Sequence, residues 1–395
     1  MFDHSSRALT GTNILICGAS VAGPALAYWL GRHGCRATVV ELSPARRDTG
    51  FAVDFRGATH LTVLERMGIL DDVRRRQTGG IPTTVVDDAG HRLADVPAEW
   101  GGGQIEILLG DLTRILHERT GQHTEYVFGD TVTALTETAD GVHVTFRRAR
   151  PRTFDLVVGA DGLHSTVRRL AFGPESRFVT HLGYYVAAWE ADNEPGIDGT
   201  ALMYNVPGKM IMAVPHRSDR AKVDVFALLA SGPIDHDRQD RRCQEQILTE
   251  ALTGMGWRTA TLLDGLWDSP ALYFDSLSRA DVPSWSTGRT VLLGDAAAGA
   301  TLGGKGTGSA LVGAYVLAGE LAAAPGDHRR AFAGYERRLR AYVTACQDGG
   351  QATGEFLAPL TADALDARNR LLGDQDLLGE RLADSVATAA GFDLG

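Results

Sequence analysis

The sequence predicts an α/β fold in which a parallel sheet is interrupted by an antiparallel sheet and followed by C-terminal helices. Three observations predict it. Apolar runs at residues 13–17 (NILIC), 36–41 (RATVVE), 155–159 (DLVVG) and 290–293 (TVLL) read as buried strands. A helical pattern joins the first two of them. Between the third and fourth, residues 182–190, 200–206, 210–215 and 222–229 alternate in polarity, as strands of an antiparallel sheet do.

The elements follow in order. Gly18 ends the first strand, and a helix runs from Val21 to His33 with Ala25, Leu26, Trp29 and Leu30 on its apolar side. Gly34 stops it before the second strand. This is a βαβ unit, whose crossover is expected to be right-handed. Residues 58–76 read as one helix, and residues 83–96 as a hairpin turning at Asp88-Ala89-Gly90. Residues 111–120 read as a helix opening near Asp111, and 131–148 as strands turning at Asp140-Gly141. A glycine-rich loop after 290–293 leads into a helix at 309–324, and the remainder is helical with glycine breaks near 348–354. The expected division gives residues 1–82, 105–178 and 281–345 to the nucleotide domain. Residues 83–104 and 179–280 form the substrate sheet, and 346–395 the C-terminal helices.

Composition narrows the function. With 395 residues the chain can bury a large core and enclose a ligand. Its net charge of -10 argues against a nucleic-acid partner, which demands clustered cations. The runs Arg74-Arg75-Arg76 and Arg337-Arg338 read as solvated helix faces. Cys17, Cys35, Cys243 and Cys346 form no CxxC pair, and no His cluster has metal-ligand spacing. A disulfide framework is not expected, which fits a cytoplasmic location. The first residues lack a secretory pattern, and no apolar run reaches the ~18 residues of a membrane span. A small-molecule partner is expected, without nucleic acid, membrane or metal, in a monomer or weak dimer.

The chemistry lies in three glycine-bearing turns. The first is GASVAG, Gly18 to Gly23, at the junction of strand and helix. Gly18 permits the tight turn, Ser20 replaces the second glycine of GxGxxG, and Gly23 lets helix pack on strand. The helix start offers amide donors to a pyrophosphate, and Glu41 ends the second strand where an acid can bind ribose. The plain alternative is a tight turn of any α/β protein, with Glu41 a surface acid. The second is DLVVGADGLHSTVR at 155–168, with Asp161-Gly162, Ser165 and Arg168. The third is GRTVLLGDAAAGATLGGKGT at 288–307, with Gly294-Asp295. An Asp just past a buried strand can hold a sugar hydroxyl by a charge-assisted bond.

These three turns, with GPALAYWLGRHG, VDFRGA and ALVGAYVLAGEL, resemble the FAD-dependent aromatic-hydroxylase-type (group A) flavoprotein monooxygenases. That family includes tetracycline-inactivating and polyketide-tailoring enzymes. The resemblance spans about residues 12–345. It implies a Rossmann-like FAD-binding domain of the GR2 type with an inserted antiparallel substrate sheet. It also implies that NAD(P)H, bound transiently, reduces FAD, and that a flavin C4a-hydroperoxide hydroxylates a polycyclic aromatic or polyketide-like molecule. The implied cofactor residues are Gly18, Ser20, Gly23, Glu41, Arg47, Asp161, Gly294, Asp295, Gly304, Gly306 and Thr307. The DG segment supports FAD, the GD aspartate contacts the ribitol, and the loop after it lies against the flavin ring. Arg56, Met203, Met212 and Phe226 are expected at the substrate, with Met210 and Trp189 beside them. Arg56 either touches flavin or substrate, or is a surface arginine paired with Asp54. The reactive oxygen belongs to the cofactor, so no catalytic triad is required. His117, His164, His181 and His216 read as isolated.

Three positions depart from the family pattern. Leu109 stands in EILLGDL where relatives commonly carry an arginine for the FAD phosphates. Ala298 stands where an aromatic residue or His is frequent, and Lys305 where an apolar residue or Gln is frequent. Lys305 either brings a cation to the ring or points to water. These departures motivate a second reading, a flavoprotein fold turned to a non-redox cyclisation or isomerisation of a natural-product intermediate. A third reading is a protein that sequesters a small molecule.

Overall fold

The structure, a computed structural model, describes residues 8–46, 52–98, 103–238, 240–299, 301–302 and 305–395, the side chains at 375, 381, 382 and 385 excepted. Its base is a six-stranded sheet. The order is Ser286–Thr287, Thr290–Leu292, Leu156–Gly159, Asn13–Cys17, Arg36–Glu41 and Thr124–Phe128. All neighbours pair in parallel except the short first strand. The central strands are buried on both faces, which explains their unbroken apolar sequence. The helices Ala22–Arg32 and Gly306–Ala323 pack against each other over this sheet, with the rings of Trp29 and Tyr315 5.0 Å apart. Gly306–Ala323 is apolar nearly all round and is buried accordingly. No described helix is long and apolar enough to cross a membrane.

The second sheet has seven strands. Their order is Leu272–Ala280, Val179–Asp192, Lys222–Ala230, Lys209–Pro215, Ala201–Val206, Thr83–Val86 and Arg92–Val96. The early hairpin therefore joins the later strands, through the parallel pairing of Thr83–Val86 with Ala201–Val206. Side chains alternate between two faces. Tyr185, Ala187, Trp189 and Val225 pack with Leu248 and Leu262 of the helices Arg241–Leu252 and Thr259–Asp268. Tyr184, Val186, Met203 and Leu228 pack with Ala358, Leu372 and Leu378 of the C-terminal helices.

The helix expected at 58–76 is two helices, Gly57–Arg66 and Leu70–Arg75. Gly68, at φ 68°, breaks them, because a left-handed residue ends an α-helical hydrogen-bond run. The helices Arg241–Leu252 and Thr259–Asp268 and the edge strand Leu272–Ala280 add to what the sequence suggested between 230 and 281.

The two sheets meet at that edge strand. Ala280 N donates to Gly299 O at 2.8 Å and Thr301 N to Ser278 O at 3.0 Å. The buried Gln347 amide donates to Ala280 O at 2.8 Å and to Gly299 O at 3.1 Å. Gln347→Leu removes this donor from buried carbonyls, so it should lower stability by about 1–3 kcal/mol. The urea-unfolding midpoint reads this; an unchanged midpoint would show that the clamp is dispensable.

Candidate active site

The parallel strands end level with one another. Cys17 pairs with Gly159 and Val40, and Gly159 pairs with Leu292. The three glycine-bearing turns therefore leave the sheet side by side at its carboxyl edge, where open α/β sheets bind ligands. Gly18 has φ 109°, and a Cβ there would lie 2.2 Å from Ala160 O. A Cβ on Gly23 would lie 1.9 Å from Gly18 O. Gly294, at φ 63°, lets the third turn touch the first, for a Cβ there would sit 3.2 Å from Ala22 Cβ. The helices starting at Ala22 and Gly306 both lack a side-chain cap and a first-turn acid. Their free amides and positive dipole ends face the region of the turns.

The acids take different parts. Glu41 accepts Ala19 N at 2.9 Å and Ser43 N at 2.8 Å, which braces the first turn. Each oxygen keeps a lone pair for a further donor. Asp161 accepts the Ser165 hydroxyl at 2.5 Å, Thr166 N at 2.7 Å and Val167 N at 3.1 Å. It holds its own turn in shape, and any action on a cofactor passes through that turn. Burial pushes its carboxyl above the usual range, and the hydroxyl and amides oppose the shift. Asp295 is solvent-accessible, yet surrounding protein desolvates its carboxyl and raises it to about 6. No hydrogen bond to its side chain is found among the described residues. A carboxylate without a partner among the described residues, beside two open helix starts, fits a nucleotide's sugar hydroxyls.

Gly306 approaches Asp295, since a Cβ there would lie 3.7 Å from Asp295 Oδ1, and Thr307 is half-exposed in the same helical turn. Ser20 is half-exposed at the first turn. Arg47 and Gly304 lie outside the described residues. Arg56 is buried and ion-paired with Asp54, so it is not the surface arginine considered above. Burial raises Asp54 to about 6 against the pull of Arg56. Arg56 N donates to His60 Nδ1 at 3.2 Å, which leaves the His60 proton on Nε2, 2.8 Å from Tyr342 OH. Burial, then Lys305 and Arg56, lower His60 to about 4, so it is neutral. Lys305 is largely buried, at 8% exposed. Leu109 and Ala298 pack half-buried against the core of the parallel sheet.

A family model described as an FAD binding domain matches residues 11–355. A flavin-dependent monooxygenase from an unknown prokaryotic organism is 35% identical, over 91% of this chain and 94% of its own length. The chain belongs to the FAD-dependent group A flavoprotein monooxygenases. An uncharacterised protein of Mycobacterium tuberculosis is 40% identical over 84% of this chain and 90% of its own. The solved structure of the tetracycline destructase Tet(55) is 32% identical, with all of both chains covered and a TM-score of 0.84.

In this monooxygenase the antiparallel sheet presents one face toward the loop after Asp295. Met212, Phe226 and Tyr273 are half-buried there and pack in one cluster with Leu302 of that loop. Met203 and Met210 are fully buried in the same cluster. Trp189 is on the other face, its indole donating to Leu262 O at 2.8 Å, so it cannot line this side. Strand alternation decides this: Trp189 shares its face with Ala187 and Tyr185.

His164 is not isolated. Nδ1 lies 3.1 Å from Glu175, and Nε2 3.1 Å from Asp275 on the edge strand. The buried Arg168 guanidinium reaches Ala296 O at 3.0 Å and Leu163 O at 2.5 Å. Together they fasten the DG turn to the GD turn and to the antiparallel sheet. Burial disfavours the His164 charge, but Asp275 and Glu175 outweigh it and raise the imidazole to about 9. His181 donates to Ser231 O at 2.7 Å, the His117 ring lies tilted against Tyr126 at 4.3 Å, and His216 lies 3.9 Å from Glu190.

A positive φ costs alanine about 1–3 kcal/mol, before any clash. Gly18→Ala should therefore reduce FAD affinity or folded yield at least about tenfold. A folded variant that titrates FAD as tightly as the parent would refute the packing. His164 titrates near 9 when folded against about 6.5 when unfolded, so its contribution is complete below about pH 6.5 and is lost as pH rises through about 9. Urea midpoints across pH 6–10 should fall more steeply for the parent than for His164→Gln. Identical slopes would remove His164 from the coupling.

Proposed function

We propose that this enzyme is an FAD- and NAD(P)H-dependent monooxygenase that hydroxylates a polycyclic aromatic or polyketide-like small molecule. One observation carries the reading: three turns meet at one sheet edge beside the apolar face of the antiparallel sheet. The turn Gly18–Gly23 and the helix start at Ala22 hold the pyrophosphate. Glu41 accepts a ribose hydroxyl, and Asp295 accepts hydroxyls of the flavin side chain. The loop through Lys305 and Gly306 backs the ring. Bound FAD, reduced by NAD(P)H, supplies activated dioxygen to an electron-rich carbon.

The protein's own task is to orient and to exclude water. Met212, Phe226, Tyr273 and Leu302 offer a flat, adaptable apolar wall suited to fused rings. The C-terminal helices, through Phe356 in the same cluster, close this wall against solvent. The likeness to Tet(55) supports a multi-ring substrate class. In this reading residues 1–82, 105–178 and 281–345 serve the cofactor, and 83–104 and 179–280 the substrate. Residues 346–395 complete the enclosure.

A visible spectrum of the purified protein, before and after added FAD, is the first test. Flavin bands are expected, with NAD(P)H oxidation stimulated by tetracycline-like polycycles and a product one oxygen heavier by mass spectrometry. Colourless protein that takes up no FAD would sink the assignment. Product formed without reductant or dioxygen would instead establish the non-redox rearrangement.

A further inference from the structure

His60 is fully buried in the helix Gly57–Arg66, which packs on the helix Gly306–Ala323. Its ring lies flush against the first turn of that second helix: a Cβ on Gly308 would come within 2.1 to 2.4 Å of three ring atoms. Gly306 instead approaches Asp295, for a Cβ there would lie 3.7 Å from Asp295 Oδ1. Two residues span about 200° of helical turn, so these contacts lie on opposite sides of the helix. The first turn is therefore gripped between the Asp295 turn and an imidazole. Both ring nitrogens are engaged as well. Nδ1 accepts Arg56 N at 3.2 Å. Nε2 donates to Tyr342 OH at 2.8 Å, and that hydroxyl donates to Ala389 O at 3.3 Å. Nδ1 can accept only while the ring is neutral, and burial beside Lys305 and Arg56 keeps it so. An apolar side chain of this size would fill the same space; the two bonds are what the imidazole adds.

We propose that His60 is a positioning residue for the cofactor: its ring and its two bonds set the spacing between the first turn of Gly306–Ala323, the Asp295 turn and the end of the strand Ala52–Phe55. This rests on the FAD site proposed above. His60 acts through Gly308 and through Arg56, not by contact with reacting atoms. The open amides of the helix start and the Asp295 carboxylate serve different groups of one ligand, so their separation has to match a fixed distance in FAD. Without the Nδ1 acceptor the buried Arg56 N–H is left unpaired, and the strand end or the helix start moves to relieve it. FAD then has to reverse that movement on binding, so the cost falls on affinity as well as on stability.

The test is the FAD Kd of the full chain, read by flavin fluorescence together with the visible spectrum of the bound flavin. It compares the parent with His60→Leu, His60→Asn, Gly308→Ala, His60→Ala and the pair Gly308→Ala with His60→Ala. Asparagine keeps an acceptor near the Nδ1 position, whereas leucine keeps only bulk. His60→Leu should raise Kd at least about tenfold, the size of one unmade buried hydrogen bond. His60→Asn should recover most of that loss, and the bound-flavin spectrum with it. Gly308→Ala should raise Kd at least about tenfold in the parent, yet by less than about twofold on His60→Ala, where no ring meets the added methyl. Parent-like affinity and spectrum in folded His60→Leu would overturn the assignment. So would a parent-like Kd for Gly308→Ala, a reading that stands even where leucine prevents folding. Losses at 60 and 308 that add in full would overturn it too, as would a loss confined to the urea midpoint, which would make His60 a stability residue alone. A parent protein that takes up no FAD would bring down the monooxygenase reading itself, an outcome distinct from the others.

Discussion

The level ending of the parallel strands is the constraint on which the site depends. Adjacent residues of a strand are about 3.3 Å apart, so a slip of one position would carry a turn out of reach of its neighbour. The register keeps Gly18, Ala160 and Leu293 abreast, with Asp161 and Gly294 one position further on. Main-chain bonds extend it past the last ladder positions: Gly18 N to Val40 O, Ala160 N to Cys17 O and Leu293 N to Gly159 O, each at 2.8 Å. Only then does the chain turn. The apolar residues buried on both faces of the sheet enforce this register, so the core and the site are aligned by the same contacts.

From that edge follows the electrostatic character of the cleft. Two helices begin there without capping side chains, and each leaves amide donors open. An acid in either first turn would compete with an incoming phosphate for those amides. Glu41 and Asp161 instead use their oxygens on the turns themselves, and Asp295 alone of the three lacks a partner among the described residues. The donors are thus left for an anion, and one carboxylate for hydroxyl groups. That pairing matches the two ends of a flavin nucleotide better than it matches a generic tight turn.

Much of this was legible in the sequence because it is local. A glycine at a strand end, a helix after it and an acid at the next strand end declare themselves within one βαβ unit. The family resemblance extended that reading to the second and third turns. The contacts between turns were not legible. His164 meets Asp275 across 111 positions, and Arg168 meets Ala296 across 128. No periodicity records such distances. Trp189 shows a different failure: alternation was evident, but which alternate face would meet the helices Arg241–Leu252 and Thr259–Asp268 was not, since those helices were not anticipated. Lys305 shows a third: its spacing put it in the loop, while its burial sets it beside His60 and beside Cys346 of the helix His328–Gln347.

The edge strand Leu272–Ala280 binds these parts into one unit. The loop after Asp295 pairs with its last residues, Gln347 clamps both, and His164 bridges from the DG turn to Asp275 near its start. Tyr273 and Leu277 of the same strand belong to the apolar face proposed to meet substrate. The loop after Asp295 and this apolar face are consequently fixed to a single backbone segment, not to two bodies joined by a hinge. Oxygen transfer demands that a reacting carbon be held within contact distance of a group on the cofactor, and a shift of about 1 Å is enough to lose much of the rate. A shared strand removes the largest source of such a shift. The doubly bonded imidazole at its start adds direction as well as attraction, because each ring nitrogen accepts only one geometry of partner. An apolar contact in that place would hold the turn close without fixing its angle.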